Sequence, residues 1–180
     1  MRGFFGVGVE GISKELNVGN LVRSSHAFGA GFFFAITPQI DIRAMQQSDT
    51  SAAFQHLPYY QYDSVAAMML PQGCQLVGVE LTDDAVELPS FKHPTRAAYV
   101  LGPEMGSLSP EMQDRCDHII KIPMKFCVNV GVAGALVMYD RNVSMGNYAP
   151  RPVVPGGRLP EMKPVQKGGL RRKIRSKKQG

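Results

Sequence analysis

Continuous apolar runs alternate with segments of mixed polarity along most of the chain. The runs are short and rich in Val, Ile, Leu and Phe, which is typical of strands buried on both faces of a sheet. Glycine, proline or acidic residues follow most of them and mark their ends. The pattern predicts strands at 4–12, 31–36, 75–81, 97–102 and 118–123.

The segments between these runs predict helices. Helical spacing of apolar residues favours a helix at 21–28, and 64–70 reads as another that Pro71 ends. The sequence 46–53 is expected to open a short helix. Ser109 followed by Pro110 is a typical helix start and predicts a helix at 109–116.

The last predicted helix, 128–141, carries its apolar side chains along one stripe. Gly131 and Gly134 lie within it and leave its surface flat enough for close packing of a neighbouring element. The stripe consists of Val128, Val132, Leu136 and Tyr139.

Strands that alternate with helices predict an α/β fold with a mostly parallel sheet and helices on both faces. Ligands of such sheets bind at the carboxyl ends of the strands. The segments "ELTDD", "LGPEMG" and "IPMKFCVN" follow three of the predicted strands. Neither GxGxxG after the first strand nor GxxxxGK[ST] is present, so the sequence supports neither a standard dinucleotide fold nor an NTPase.

The chain changes character after Asn142, where it becomes rich in proline and glycine and then basic. We expect a folded domain at 1–145 and a linker with a basic tail at 146–180. Residues 158–180 carry nine Lys or Arg and one acidic residue, a net charge of +8, whereas the other 157 residues sum to −3. A basic block of this density suits a polyanion, and we favour nucleic-acid contact over a merely solubilising tail.

Composition excludes several classes of protein. An apolar stretch of about 18 residues is absent, and the first residues lack the features of a secretory signal, so we expect no membrane span and no secretion. The three cysteines are widely spaced, and the four histidines form no ligand set. We therefore expect neither a metal site nor a disulfide framework, and a cytoplasmic location fits best.

Three segments, "NVGNLVRSSHAFG" (17–29), "YVLGPEMGSLSPEM" (99–112) and "IPMKFCVNVGVAGALVMYDR" (122–141), resemble in order and spacing the motifs of the SpoU/TrmH class of SPOUT RNA methyltransferases. The resemblance implies methyl transfer from S-adenosylmethionine to a ribose 2′-hydroxyl of RNA. The size of the domain is similar to that of short tRNA-modifying members, which slightly favours tRNA over rRNA. The resemblance also implies a deep C-terminal trefoil knot that holds the cofactor, and a homodimer with the acceptor site near its interface.

The resemblance assigns roles to four residues near the reacting centre. Arg23 would anchor phosphate and orient the 2′-oxygen, because a guanidinium is a poor base. Asn17 would bond across the dimer or cap its helix, and capping alone would explain an asparagine there. Glu104 would brace its loop and Arg23. Asn129 would lie close to the reacting atoms, although a polar residue at a helix start needs no such role.

The cofactor-binding residues implied by the resemblance follow three strands. Their glycines would leave the backbone bare so that adenosine can approach closely, and most of the apolar ones could equally be ordinary core. Cys127 stands where many members have serine, and we do not read it as a nucleophile. The set is Glu80, Leu101, Gly102, Gly106, Ile122, Met124, Cys127 and Val128.

Two other functions remain open at this point. A protein that keeps the fold without the chemistry would be a non-catalytic RNA-binding or assembly factor, and the intact Arg23, Glu104 and Asn129 argue against it. A SPOUT enzyme could also methylate a base, but the GPE-x-x-G and asparagine motifs favour ribose.

Overall fold

A computed structural model describes residues 3–42, 53–146, 148–152 and 154–157. The chain divides into two compact units, residues 1–146 and 147–180. The expected helix at 46–53 lies outside the described residues except for Ala53, which begins a short 3₁₀ turn, Ala53–Gln55. Within the described part of the chain, no helix is both long enough and apolar enough to cross a membrane.

The described residues form a seven-stranded sheet in which every neighbouring pair is parallel, as the alternation of strands and helices predicts. The order across the sheet is β3-β2-β1-β6-β4-β7-β5. The strands are β1 Phe4–Glu10, β2 Phe32–Ile36, β3 Tyr59–Tyr62, β4 Gln75–Val79, β5 Val86–Glu87, β6 Arg96–Leu101 and β7 His118–Lys121.

The sequence pattern missed β3 and β5, which form the two edges of the sheet. No residue of β3 is fully buried, and β5 has only two residues, both exposed. Edge strands cover only part of the core, so their sequences lack the apolar runs that reveal β1, β2 and β6.

Helices α1 Glu15–Phe28, α2 Pro110–Arg115 and α3 Val130–Met145 cover the sheet. Alternate residues of β6 belong to different core clusters, since Tyr99 packs with α1 and α3, whereas Val100 packs with Met112 of α2. Helices therefore lie on both faces, as predicted.

Close contact between α1 and α3 depends on a glycine. A Cβ atom at Gly134 would lie 2.4 Å from Cδ2 of Leu21, so only glycine lets the two helices approach this far. The prediction that this glycine serves close packing is confirmed.

The predicted helix at 64–70 is wrong, because these residues form a bend and a turn followed by irregular chain. Val65 and Met68 still bury their side chains in the second core cluster. Their carbonyl groups accept hydrogen bonds from the Arg115 guanidinium of α2. A distant side chain thus satisfies carbonyls that a helix would have paired internally.

The apolar stripe expected on the last helix does not face the core. The buried residues of α3 include Val137, Met138 and Arg141, whereas the apolar stripe is exposed. Of the predicted residues, Val128 (36% exposed) precedes the helix, and Val132 (49%), Leu136 (39%) and Tyr139 (56%) form an exposed stripe that Val143 (37%) extends. Arg141 is fully buried, although it is a charged residue near the end of this helix.

Candidate active site

A cavity of about 430 Å³ opens where β4, β6 and β7 end and α3 begins. All of the predicted site residues except Arg23 line it. The full lining is Lys14, Asn17, Val79, Glu80, Leu81, Leu101, Gly102, Pro103, Glu104, Gly106, Lys121, Ile122, Met124, Cys127, Val128, Asn129, Val130 and Ala133.

Residues 102–109, which we call the glycine loop, leave β6 and form one wall of the cavity. A Cβ atom at Gly102 would lie 3.1 Å from the backbone nitrogen of Leu108, so the two ends of the loop touch. Gly106 has φ +134°, a conformation that other residues rarely adopt. The loop's own backbone therefore favours glycine at both positions, whether or not a ligand also approaches it there.

Glu104 ties the glycine loop to the chain that begins α1. Its carboxylate accepts hydrogen bonds from Ser13 N (3.2 Å), Ser13 Oγ (3.0 Å), Lys14 N (3.1 Å) and Asn17 Nδ2 (2.8 Å). Burial alone would raise the pKa of Glu104, but the hydrogen bonds from Asn17 and Ser13 outweigh it and hold that pKa below its ordinary value. The carboxylate is thus kept ionised and fixed in place.

Asn17 connects Glu104 to the start of α3 through hydrogen bonds. It is 4% exposed, and its Oδ1 accepts a hydrogen bond from Nδ2 of Asn129 at 2.8 Å. Asn17 does not cap α1, because the cap position is Lys14, whose side chain makes no capping hydrogen bond. Asn129 does cap α3, since its Oδ1 accepts from Gly131 N at 2.8 Å.

Glu80 holds the far end of the glycine loop. Its Oε2 accepts a hydrogen bond from Leu108 N at 2.7 Å, and its Oε1 accepts from Leu81 N at 2.9 Å. The residue was predicted to contact the cofactor. It lines the cavity, and its carboxylate also braces the backbone around it.

The segment between β7 and α3 forms the opposite wall. Ile122 is buried, Met124 is partly buried, and Cys127 and Val128 are exposed at the cavity. Sequence reasoning missed several lining residues, notably Lys14 and Lys121. Lys121 Nζ donates to the carbonyls of Thr82 (3.1 Å) and Asp83 (3.2 Å), so it also braces the turn after β4.

Arg23 lies apart from the cavity. It is exposed on α1, in a stripe with Leu16, Asn20 and Ala27, and it makes no hydrogen bond or ion pair to the part of the chain that the structure describes. Glu104 bonds residues 13–17 and does not contact Arg23. Within one chain, the structure does not bring Arg23 to the other predicted residues.

The cavity has the size and chemistry of a small-molecule site. Its volume lies within the range of about 300–1,000 Å³ that is typical of such sites. Apolar walls from Leu101 and Ile122 are combined with exposed backbone of the glycine loop. The described residues contain no group of three or more His, Cys, Asp or Glu arranged to hold a metal ion.

The fold and this site define an α/β protein with a ligand cavity at the carboxyl ends of parallel strands. A model of the SpoU rRNA Methylase family matches residues 5–139, and the chain belongs to this family.

Similar proteins modify RNA. The chain is 27% identical over 137 residues to the tRNA (guanosine(18)-2'-O)-methyltransferase of Escherichia coli (strain K12), a match that covers 73% of this chain and 60% of the relative. The chain thus spans between half and two thirds of the length of the curated relatives it matches.

Solved structures show the same fold. The SpoU methyltransferase AviRb from Streptomyces viridochromogenes, in complex with AdoMet, aligns with a TM-score of 0.70 and 21% identity, over 82% of this chain and 60% of that chain. A protein described under "Structural insights into the 2-OH methylation of C/U34 on tRNA" aligns with a TM-score of 0.67 and 20% identity, over 81% and 92%.

Proposed function

We propose that the protein transfers a methyl group from S-adenosylmethionine to a ribose 2′-hydroxyl of RNA, with tRNA slightly preferred over rRNA. One observation carries the proposal. A continuous chain of hydrogen bonds runs from Glu104 through Asn17 to Asn129, and so joins the three family-like motifs at one cavity. The relative from Escherichia coli, by its name, has this type of activity.

The cofactor would lie between the glycine loop and the segment from Ile122 to Val128. S-adenosylmethionine supplies an activated methyl group when bound. The backbone of Gly102 and Gly106 offers hydrogen-bonding groups, while Leu101, Ile122 and Met124 offer apolar surface. A deep trefoil knot at these two segments belongs to the proposal, and their meeting at one cavity supports it.

Arg23 would act in a homodimer, across the interface. The exposed stripe of α3 supports this, because contiguous apolar surface of this kind marks interaction sites. Arg23 lies on the exposed side of α1, which packs against α3, so a second copy bound there would come close to it. Its charge would hold an RNA phosphate and orient the 2′-oxygen towards the methyl group.

Mixing two inactive variants tests action across the interface. Arg23→Ala should lose methyl transfer while still binding S-adenosylmethionine, and Asn129→Ala should lose transfer through its own cavity. If Arg23 serves its partner's cavity, co-expressed mixed dimers regain part of the activity. Activity that stays absent in mixed dimers would show that Arg23 and Asn129 act within one chain.

The oligomeric state can be tested directly. Tyr139→Glu should yield monomers in light scattering and abolish methyl transfer, because it places a charge in the apolar stripe. Tyr60→Glu is the matched control, since Tyr60 is 50% exposed on the edge strand β3 and lies outside the stripe. A Tyr139→Glu variant that remains dimeric would exclude this interface.

The chemistry itself is tested with RNA extracted from cells that lack the protein. Incubation with the enzyme and labelled cofactor, nuclease digestion and mass spectrometry would separate ribose from base methylation and tRNA from rRNA. A methylated base would replace the ribose assignment. Absence of S-adenosylmethionine binding in calorimetry would favour the alternative, a non-catalytic RNA-binding or assembly factor.

The remaining expectations follow from the same proposal. Residues 146–180 would form a linker and a basic tail that adds RNA affinity without sequence preference, and the charge of +8 over 158–180 supports this role. A cytoplasmic site of action is supported by the three cysteines, all of which are free.

A further inference from the structure

We propose that Glu10 is a positioning residue that holds the glycine loop in its cofactor-binding conformation before any cofactor arrives. Glu10 is the last residue of β1 and is 7% exposed. It does not line the cavity and therefore would not touch the cofactor. The inference rests on the proposed function, because it takes the glycine loop as a wall of the cofactor site.

The carboxylate of Glu10 binds the C-terminal end of the loop at two atoms of one residue. Oε2 accepts a hydrogen bond from Ser109 N at 2.8 Å, and Oε1 accepts one from Ser109 Oγ at 2.6 Å. The hydroxyl of Ser109 in turn accepts from Met112 N at 3.1 Å, which caps α2. Every polar group of this contact is used, so the position of Ser109 is fixed.

Glu10 makes no ion pair with a lysine or arginine among the described residues. A carboxylate this well buried needs strong hydrogen bonds in place of water. The two donors of Ser109 supply them, so loosening the loop would leave a buried charge without partners. This coupling makes detachment of the loop unfavourable.

Glu10 and Glu104 together hold the glycine loop against the chain around the end of β1. Glu104 extends from the glycine loop to the chain that follows β1, and Glu10 extends from β1 to the loop. Pro103 lies beside the turn at Gly11, where a Cβ atom would come within 3.8 Å of it. Because two carboxylates fix the loop from opposite directions, neither end can move alone.

A loop that is ordered in advance binds its ligand more tightly, since binding then carries no further loss of conformational freedom. Glu10→Gln keeps the size of the side chain but removes the charge. We expect hydrogen exchange of the 102–109 backbone to accelerate on the order of tenfold without cofactor, and the Kd for S-adenosylmethionine to rise by a similar factor.

Asp117→Asn is the matched control. Asp117 Oδ2 also accepts a backbone hydrogen bond, from Leu76 N at 2.7 Å, but at the opposite end of the sheet. This variant should lower the melting temperature while leaving both loop exchange and cofactor affinity at wild-type values. The comparison separates a role in positioning the loop from a role in stability alone.

A second pair of variants applies if Glu10→Gln fails to fold. Ser109→Ala removes the hydroxyl bond to Glu10 and should loosen the loop, whereas Ser109→Thr keeps the hydroxyl and should restore wild-type exchange. Wild-type loop exchange in Glu10→Gln, or in Ser109→Ala, would overturn the proposal. If the wild-type protein binds no S-adenosylmethionine, the proposed function fails, while the exchange data still decide the role of Glu10.

Discussion

Three carboxylates hold the backbone around the cavity at one end of the sheet, whereas a buried arginine holds the backbone at the other. At the carboxyl ends of the strands, Glu10, Glu80 and Glu104 accept hydrogen bonds from main-chain N–H groups. At the amino ends, Arg141 donates to three main-chain carbonyls, those of Pro94 (2.6 Å), Thr95 (3.1 Å) and Phe4 (3.4 Å).

The amino-terminal end, which we call the closed end, is built around the buried side chains of Arg141, Tyr99 and His93. Arg141 is fully buried and donates to Tyr99 Oη at 3.1 Å. Arginine can only donate, so the Tyr99 hydroxyl keeps its own hydrogen for His93 Nδ1 (2.6 Å) when His93 is neutral, and His93 Nε2 then donates to Asp140 (3.0 Å). The network therefore accommodates neutral His93, and burial lowers the pKa of this imidazole.

The difference between the two ends indicates which part of the fold contributes to stability alone and which also contributes to ligand binding. The closed end uses one buried cation to join α3 to the first residue of β1 and to the chain just before β6. The open end uses carboxylates to shape a loop that forms one wall of the cavity. Substitutions at the closed end should therefore affect folding, whereas substitutions at the open end should affect ligand binding as well.

Arg141→Met should produce the largest effect. It leaves the Pro94 carbonyl without its buried donor, so we expect the free energy of unfolding to fall by about 2–4 kcal/mol in urea titrations. Arg115→Met is the control, because Arg115 also donates to carbonyls but is exposed, and its loss should be smaller. Folded Arg141→Met protein should bind S-adenosylmethionine normally, and weakened binding would mean that the two ends are coupled.

Asn17→Ala should have a smaller effect on folding and a larger one on binding. It leaves Glu104 and Asn129 without a shared partner, which should lower the free energy of unfolding by about 1–3 kcal/mol. Calorimetry should show weaker cofactor binding. Asn20→Ala, one turn along α1 and exposed, should change neither quantity, and an unchanged Kd in Asn17→Ala would separate this hydrogen-bond chain from the site.

As the pH falls, the closed end should lose its contribution to folding stability before the open end does. His93 has a pKa below its ordinary 6.5, so the unfolded chain binds a proton more readily than the folded one. The stability due to neutral His93 is complete above pH 6.5 and is lost as pH falls towards the folded pKa, at no more than about 1.4 kcal/mol per pH unit. Urea titrations from pH 7.5 to 5 should show this slope, and His93→Gln should flatten it.

The glycine loop at the open end should loosen only in stronger acid, and this effect should be the smallest of those predicted. The pKa of Glu104 lies below its ordinary 4.5, so its contribution is complete above pH 4.5 and is lost as pH falls through the folded pKa. Hydrogen exchange of the glycine loop should therefore be insensitive to Glu104 titration from pH 7 to 5, after correction for the intrinsic pH dependence of exchange. Loosening of the loop above pH 5 would contradict this assignment.

Local sequence predicted several elements because local chemistry determines them. Pro110 and the Ser109 cap specify the start of α2, and apolar runs specify the central strands. The predicted cavity residues came from the family resemblance, and those that follow β4, β6 and β7 lie together because parallel strands bring their carboxyl ends to one edge. Residues 64–70 were wrongly predicted to form a helix because a distant residue, Arg115, donates hydrogen bonds to their carbonyls. No local sequence pattern indicates that contact.

The sequence by itself determined the parallel α/β class, the central strands and the segments that line the cavity, since periodicity and strand ends are local properties. Only the tertiary structure decided which face of α3 is buried, why Gly134 lies where α1 and α3 meet, and what Asn17 and Glu10 do. These depend on hydrogen bonds and packing between residues about 90 positions apart or more, such as Glu10 with Ser109 and Asn17 with Asn129. Spacing along the chain carries no signal for such contacts, because the fold alone brings the partners together.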